Sequence, residues 1–473
     1  MPLVGAAVAK PVPSAADVER DAYVRNGIAP PPDPSRSVAG RIVRRPLLWV
    51  FVATVVIAAA SLAVLGYQVV PDKQVEGGTS LGISLHWLPT AIRYALYTVV
   101  PLALVFILLD RLRPQPVLVW IGTFLWGACV ATMAAAFINS WAAEHLNIAG
   151  NGDPTAAARP AIFVAPFVEE ACKATALFWV AILMRYRLVS RISLVTLAGL
   201  AGSGFAFVEN IIYYGRLARV AQNTAGVADP TVLVQQLFVL RGVLTFFGHP
   251  LFTTFTALGL AVAIRHKSKI VRVVAPLAGY LTAAFAHMTF NTVASLIPAG
   301  LLRQMLYIGA LGVVFTVALM LIRTLLMQGR LIAIRLSDYV RMGWLPESDL
   351  RPLSRMRTRL RARWQGLWLG PSRAWATYSL QRAATELAYL RDAEVRGIID
   401  AGGRYREREL LSRIAALRPR AVVQPAPRAD YGVIRRALRR RRGAAQFAPP
   451  SGTPAMPAAA PAYAPPTGPA WHA

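Results

Sequence analysis

The chain has 473 residues, of which 55% are hydrophobic and only 16% charged, with a mean hydropathy of +0.45. Such a balance excludes an ordinary soluble domain and predicts an all-α, polytopic membrane protein. The net charge of +28 would suit a nucleic-acid binder, but 26 arginines against 10 acidic residues fall between Arg330 and Arg442. No nucleic-acid fold signature accompanies them, so the expected partner of this tail is an anionic lipid surface and no specific nucleic acid.

Residues 1–45 are polar and proline-bearing, and the first apolar run begins only near Leu47. That is too late and too long for a cleaved signal peptide. Eight runs are long enough to span a bilayer: 47–69, 89–109, 116–140, 160–184, 192–214, 242–264, 272–297 and 303–327. With eight spans both termini share a side. The connecting segments with Arg41, Arg44 and Arg45, then Arg111 and Arg113, then Arg185, Arg187 and Arg191, then Arg265, Lys267, Lys269 and Arg272, all fall on the side of the arginine-rich tail. The positive-inside rule makes that side cytoplasmic, in a multi-pass protein of the cell membrane. Arg216, Arg219 and Arg241 are the exception on the opposite side; Arg241 and Arg93 lie near span ends, can snorkel, and receive no role. Cys129 and Cys172 both fall in apolar runs and read as packed thiols.

The organisation expected is a cytoplasmic segment 1–45, a membrane domain 46–328 with a core of motifs over 160–295, a basic cytoplasmic region 329–419, and an Ala/Pro/Arg-rich disordered tail 420–473. Within the basic region, apolar residues at helical spacing (Leu380, Ala384, Leu387, Leu390; Leu410, Ile414, Leu417) predict amphipathic helices over 372–396 and 404–417.

Charges inside a span cost several kcal/mol each, by any scale, unless they face partners or a wet cavity, so an intramembrane ionisable residue marks a functional site by default. Here the polar groups gather in four consecutive spans: Glu169, Glu170 and Lys173 in the fourth, Glu209 and Asn210 in the fifth, His249 before Pro250 in the sixth, and His287 and Asn291 in the seventh. At about 1.5 Å per residue, Glu169 and His287 lie about 15 Å from the outer surface and Glu209, His249 and Asn291 about 10 Å, a single layer. Glu169 and Lys173 are four apart, as are His287 and Asn291, so each pair shares a helix face. Pro166 cannot donate to the carbonyl of Ile162 and should kink the fourth helix ahead of the carboxylates. Gly199, Gly202 and Gly204 permit close approach to the fifth.

Read in order, Glu169-Glu170-Ala-Cys-Lys173 as EExxK, Phe205-Ala-Phe-Val-Glu209 as FxxxE followed by Asn210, His249, and His287-Met-Thr-Phe-Asn291 as HxxxN resemble the PrsW family of intramembrane proteases. That family is related to the CAAX prenyl endopeptidases and bacteriocin-immunity proteins. The resemblance covers about Pro160 to Ser295 and implies endopeptidase action on membrane-protein substrates, such as regulatory cleavage of a membrane-anchored anti-sigma factor.

Peptide hydrolysis needs an activated water, an oxyanion stabiliser and a proton for the leaving amine, and a carboxylate in a partly dehydrated cavity is a suitable general base and then acid. Glu169 is assigned that part, with Glu170 and Lys173 in support, His287 and Asn291 as donors to the oxyanion, and Glu209 and His249 holding the water or its metal. His249, His287 and Glu209 would make a two-His, one-carboxylate zinc site. No HExxH occurs, and a metal-free, glutamate-activated water stands beside the zinc version. Two other readings use the same layer: an enzyme closer to the CAAX prenyl endopeptidases, or a proton-coupled transporter, for which inverted repeats would speak and none is visible.

Overall fold

Inside hydrocarbon the backbone has only itself to bond to, and the long apolar runs answer with helices. The computed structural model describes residues 37–43, 45–75, 78–112, 114–145, 158–184, 188, 190–224, 229–298, 300–398 and 401–426. The expectations for residues 1–36 and for the Ala/Pro/Arg-rich stretch beyond 426 lie outside the described residues. In chain order the helices are α1 (Pro46–Val69), α2 (Leu88–Leu109), α3 (Val117–His145), α4 (Ala165–Leu183), α5 (Arg191–Asn223), α6 (Pro230–Phe238), α7 (Gly248–Ala263), α8 (Lys269–Leu296), α9 (Leu301–Arg341), α10 (Met356–Leu369), α11 (Pro371–Val395) and α12 (Ala401–Leu417). The strands described are one antiparallel hairpin between α1 and α2, Lys73–Val75 against Gly78–Ser80, with Gln74 opposite Thr79.

Among the described residues, seven segments are long and apolar enough to cross a membrane: α1, α2 with the turn before it, α3, α5, α6 with α7, α8 and α9. The remaining expected span, α4, is a 19-residue helix carrying Glu169, Glu170 and Lys173. The bundle is therefore the expected all-α membrane architecture.

α5 is its axis. Along 33 residues it packs against α2, α3 and α7, and from Ile192 to Phe205 every residue is buried. Small side chains make this possible: a Cβ on Gly204 would lie 2.2 Å from the carbonyl oxygen of Phe124 in α3, and one on Gly202 would lie 2.8 Å from the backbone of His249 and Pro250 in α7. The second contact brings the His249 backbone directly against α5.

Two boundaries differ from the sequence reading. α5 does not end near Gly215 but runs two turns further, so Glu209 sits about 20 Å from its end rather than about 10 Å. Arg219 on that extension pairs with Asp72 at 3.0 Å, and the carboxylate also accepts from the N–H of Gly82 at 2.8 Å. The sixth span is not one helix from 242. It begins at Pro230, passes through a π-helical turn Val239–Leu244, breaks at 245–247 and restarts at Gly248 as α7.

The expected division at 328/329 falls inside a helix: α9 runs unbroken for 41 residues. Beyond the apolar run its continuation, with Ile332, Leu336 and Tyr339, forms one wall of a hydrophobic core shared with Leu353, Leu380, Ala384, Leu387, Leu390, Leu410, Ile414 and Leu417. The apolar faces expected on 372–396 and 404–417 are therefore turned inward, against α9, and α11 and α12 form a helical unit with its own core.

Arg359 ties this unit to the membrane bundle. Fully buried, its guanidinium donates to the carbonyls of Leu353 (3.1 Å), Gln381 (2.8 Å) and Leu112 (2.9 Å) and to Thr385 Oγ1 (2.7 Å). Burial, and then the neighbouring Arg363, push it down to about 9. Replacing Arg359 with Leu removes four buried hydrogen bonds and should cost about 3 kcal/mol. Hydrogen exchange over 350–420 reads the effect: faster exchange there with the membrane helices unchanged is expected, and unchanged protection would remove Arg359 from this role.

Candidate active site

Four helices and two π-helical turns, Pro160–Val164 and Val239–Leu244, bring the polar groups together. The turn Pro160–Val164 leads into α4, and there the N–H of Ala165 bonds to the carbonyl of Pro160, a five-residue register. That register sets Pro166, which has no N–H, opposite Ala161. The free carbonyl is thus that of Ala161 rather than Ile162, and Asn291 Nδ2 from α8 donates to it at 2.8 Å. Tyr280, also on α8, donates its hydroxyl to the carbonyl of Phe167 at 3.0 Å. α8 thereby fixes the start of α4 one turn ahead of the carboxylates.

Glu170 is the fully buried hub. Its Oε1 accepts from Lys173 Nζ (2.6 Å) and His287 Nδ1 (3.1 Å), and its Oε2 accepts from Thr253 Oγ1 (3.0 Å). Lys173, also fully buried, donates to His249 Nδ1 at 3.0 Å and lies 4.3 Å from the centre of the Phe205 ring. Since Nδ1 of His249 faces an ammonium, it carries the lone pair, and Nε2 is the donor, to Glu209 Oε2 at 2.7 Å. By the same reasoning His287 donates from Nδ1 to Glu170 and keeps its lone pair on Nε2. Phe252 stacks on the His287 ring at 4.9 Å and 17°, and the two imidazoles meet edge to face at 5.1 Å.

Both lone-pair nitrogens lie near Glu169. Its Oε2 is 4.0 Å from His249 Nδ1, 4.0 Å from His287 Nε2 and 3.8 Å from Lys173 Nζ. That oxygen is buried and has no hydrogen-bond partner. A buried carboxylate oxygen without a donor is costly, and its neighbours leave a gap that suits a water or an ion.

Those same three ligand atoms lie within 4.8 Å of one another. The donor set fits a divalent transition metal, with each imidazole held from its other nitrogen by a carboxylate, the usual outer-shell arrangement around a His ligand. The carboxylate in the set is Glu169. Glu209, expected from the sequence as the third ligand, bonds to the opposite edge of the His249 ring and is engaged by Arg241, so it orients the imidazole instead of joining it.

Arg241 is the residue that sequence reasoning passed over. From the π-helical turn Val239–Leu244 its Nη2 donates to Glu209 Oε2 (2.7 Å) and its Nε to Asn210 Oδ1 (2.8 Å), with the guanidinium 3.9 Å from the centre of the Tyr213 ring. Its snorkelling assignment is corrected by the extension of α5 and by the start of α6 at Pro230, which set Arg241 well inside the span. A signal was present: one arginine in the apolar run 230–263, on the side otherwise poor in charge. Thr253 was also missed, although it stands one turn after His249. Of the seven expected residues, Glu169, Glu170, Lys173, Glu209, His249 and His287 meet in one cluster; Asn291 stands apart at the start of α4.

Side-chain exposure rises from zero at Glu170 and Lys173 through 13% at His249 and 17% at Glu209 to 25% at Arg241. The cluster is closed at α4 and opens past Arg241.

Residues 115–322 match the family model of the PrsW family intramembrane metalloprotease. The match runs from the start of α3 into α9 and contains every residue of the cluster, so the segment that holds the cluster is similar to the PrsW-type intramembrane peptidases and lies within an integral membrane protein. No curated protein and no solved structure matches the chain.

Proposed function

We propose that the chain is an endopeptidase that hydrolyses peptide bonds of membrane-protein substrates with a water held at Glu169. The observation that carries this reading is the unpartnered Glu169 Oε2, set about 4 Å from a nitrogen of each imidazole and from the Lys173 ammonium. Among the three carboxylates of the cluster it alone has a buried oxygen free to take a proton from water: Glu170 accepts from three donors, and the Glu209 Oε2 from two. Glu169 takes the proton and passes it to the leaving amine. Lys173, adjacent to the same gap, is the cation nearest the place where negative charge develops on the scissile carbonyl oxygen. The opening past Arg241 is the route by which an extended peptide segment reaches the water. The side bearing the arginine-rich loops is cytoplasmic, so both termini lie there in the cell membrane and the cluster is nearer the outer face. The arginine-rich tail meets the anionic inner leaflet. The substrate class is a single-span membrane protein, and the family resemblance implies a membrane-anchored anti-sigma factor.

Glu169, His249 and His287 would hold a metal ion, which when bound supplies Lewis-acid polarisation and an acidified water. Lys173 already donates to the His249 Nδ1 lone pair, so an ion and the ammonium compete for one nitrogen. Replacing Lys173 with Met should therefore raise Zn(II) affinity about tenfold or more by calorimetry on the purified protein, while Glu169→Gln lowers it. Equal affinities in parent and both variants would remove these residues from a metal site, and full cleavage activity after exhaustive chelation would leave the metal-free version of the reaction.

A further inference from the structure

α10 is inside out for a helix in water. The face it turns to the tail unit carries Arg359, Ala362, Gln365 and Gly366, all buried. The face it turns away carries Leu360, Trp364, Leu367 and Trp368, at i, i+4, i+7 and i+8, with 48%, 56%, 62% and 54% of their surface exposed. Trp375 near the start of α11, the next helix, is 61% exposed. Four large apolar side chains on one helix face, with a fifth exposed near the start of the next helix, mark an interaction surface.

Its position and charge identify the partner. Arg359 holds α10 to the carbonyl of Leu112, and Arg363 reaches that of Arg111, immediately beyond the end of α2 at Leu109. The helix therefore lies at the level where α2 leaves the hydrocarbon, as does Trp49, 57% exposed at the start of α1. Between residues 350 and 385 there are eight arginines and no Asp or Glu. Arg351, Arg355, Arg357 and Arg373 among them are exposed. Tryptophan rings favour the headgroup level, and a helix with apolar aromatics flanked by arginines binds an anionic interface.

We propose that α10, with Trp375, lies in the headgroup region of the bilayer beside α2 and binds anionic lipid through Leu360, Trp364, Leu367, Trp368 and the flanking arginines. This sharpens the lipid-facing reading of the tail, whose other helices turn their apolar faces inward, to one helix face. It holds whichever side of the membrane the tail occupies, because it rests on the ties to residues 111 and 112.

The test uses the full chain without its two cysteines, labelled with an environment-sensitive fluorophore at Trp364→Cys or, as a solvent control, at the exposed Ser412→Cys. In phosphatidylglycerol vesicles the probe at 364 should emit to the blue of the probe at 412, be quenched by shallow-brominated lipid, and show about half or less of the iodide quenching. Exchanging phosphatidylglycerol for phosphatidylcholine should raise iodide quenching at 364 about twofold. A probe at 364 as open to iodide as that at 412 overturns the proposal. One shielded from iodide yet untouched by brominated lipid overturns it in favour of a protein partner, and equal shielding in both lipids overturns the anionic requirement. Sided labelling of Ser412→Cys with an impermeant maleimide reports the orientation separately, so an error there is not confused with failure of the docking.

Discussion

Glu169→Gln is expected to reduce cleavage of a single-span substrate in proteoliposomes by about 10²–10⁴-fold, the range over which a positioned general base acts. The substitution is nearly isosteric, and the buried oxygen has no hydrogen bond to lose, so the variant should insert and fold as the parent does. The contrast with Glu170→Gln is diagnostic. Glu170 accepts from Lys173, His287 and Thr253 in a fully buried position, so neutralising it leaves the Lys173 charge without its close partner and should cost several kcal/mol of stability. Both variants lose activity, but only Glu170→Gln should also lower the unfolding temperature. Parent-like cleavage by Glu169→Gln would sink the proposed base, and a destabilised Glu169→Gln would make the residue structural.

The second large effect is expected at Arg241. Arg241→Met removes the bonds to Glu209 and Asn210 together and leaves Glu209 to the His249 ring alone. Losing the support of an oriented imidazole typically costs 10–100-fold, so kcat/KM should fall by about that factor. Arg241→Lys should not restore the rate. One ammonium cannot reproduce the fixed pair of donors, Nε to Asn210 Oδ1 and Nη2 to Glu209 Oε2, along one edge of a planar group that also lies over the Tyr213 ring, which the guanidinium does. Cleavage by Arg241→Lys at the parent rate would show that only the charge at this position matters.

The difference in legibility between Glu169 and Arg241 has a physical origin. A carboxylate pair in the middle of an apolar run is conspicuous because hydrocarbon penalises it, and the same penalty marked Glu209, His249 and His287. Arg241 escaped because its depth depends on where helices begin and end. The start at Pro230 lies in a run whose polar Gln235 and Gln236 dilute the apolar signal, and the break at 245–247 contains no proline. Asn291 was read as a donor to the oxyanion, whereas here its amide donates to the carbonyl of Ala161, which the π-helical register leaves free opposite Pro166 in place of that of Ile162. In the tail, the periodicity of α11 and α12 was readable, whereas their partner was not, because α9 past Met327 alternates arginines with the apolar residues that form the core wall. In α10 the helical spacing of Leu360, Trp364, Leu367 and Trp368 was passed over, since its arginines lie on both faces and one of them is fully buried.

The unbroken course of α9 has a mechanical consequence. Its first half presents Leu302, Met305, Ile308, Phe315 and Met320 outward over most of its surface, while its second half is built into the core of the tail unit. A span with so little protein around it tilts to match the thickness of the bilayer. With no proline along about 60 Å of rod, that tilt cannot be absorbed at the membrane surface and is carried into the tail. Membrane thickness and tail position are thus two ends of one lever.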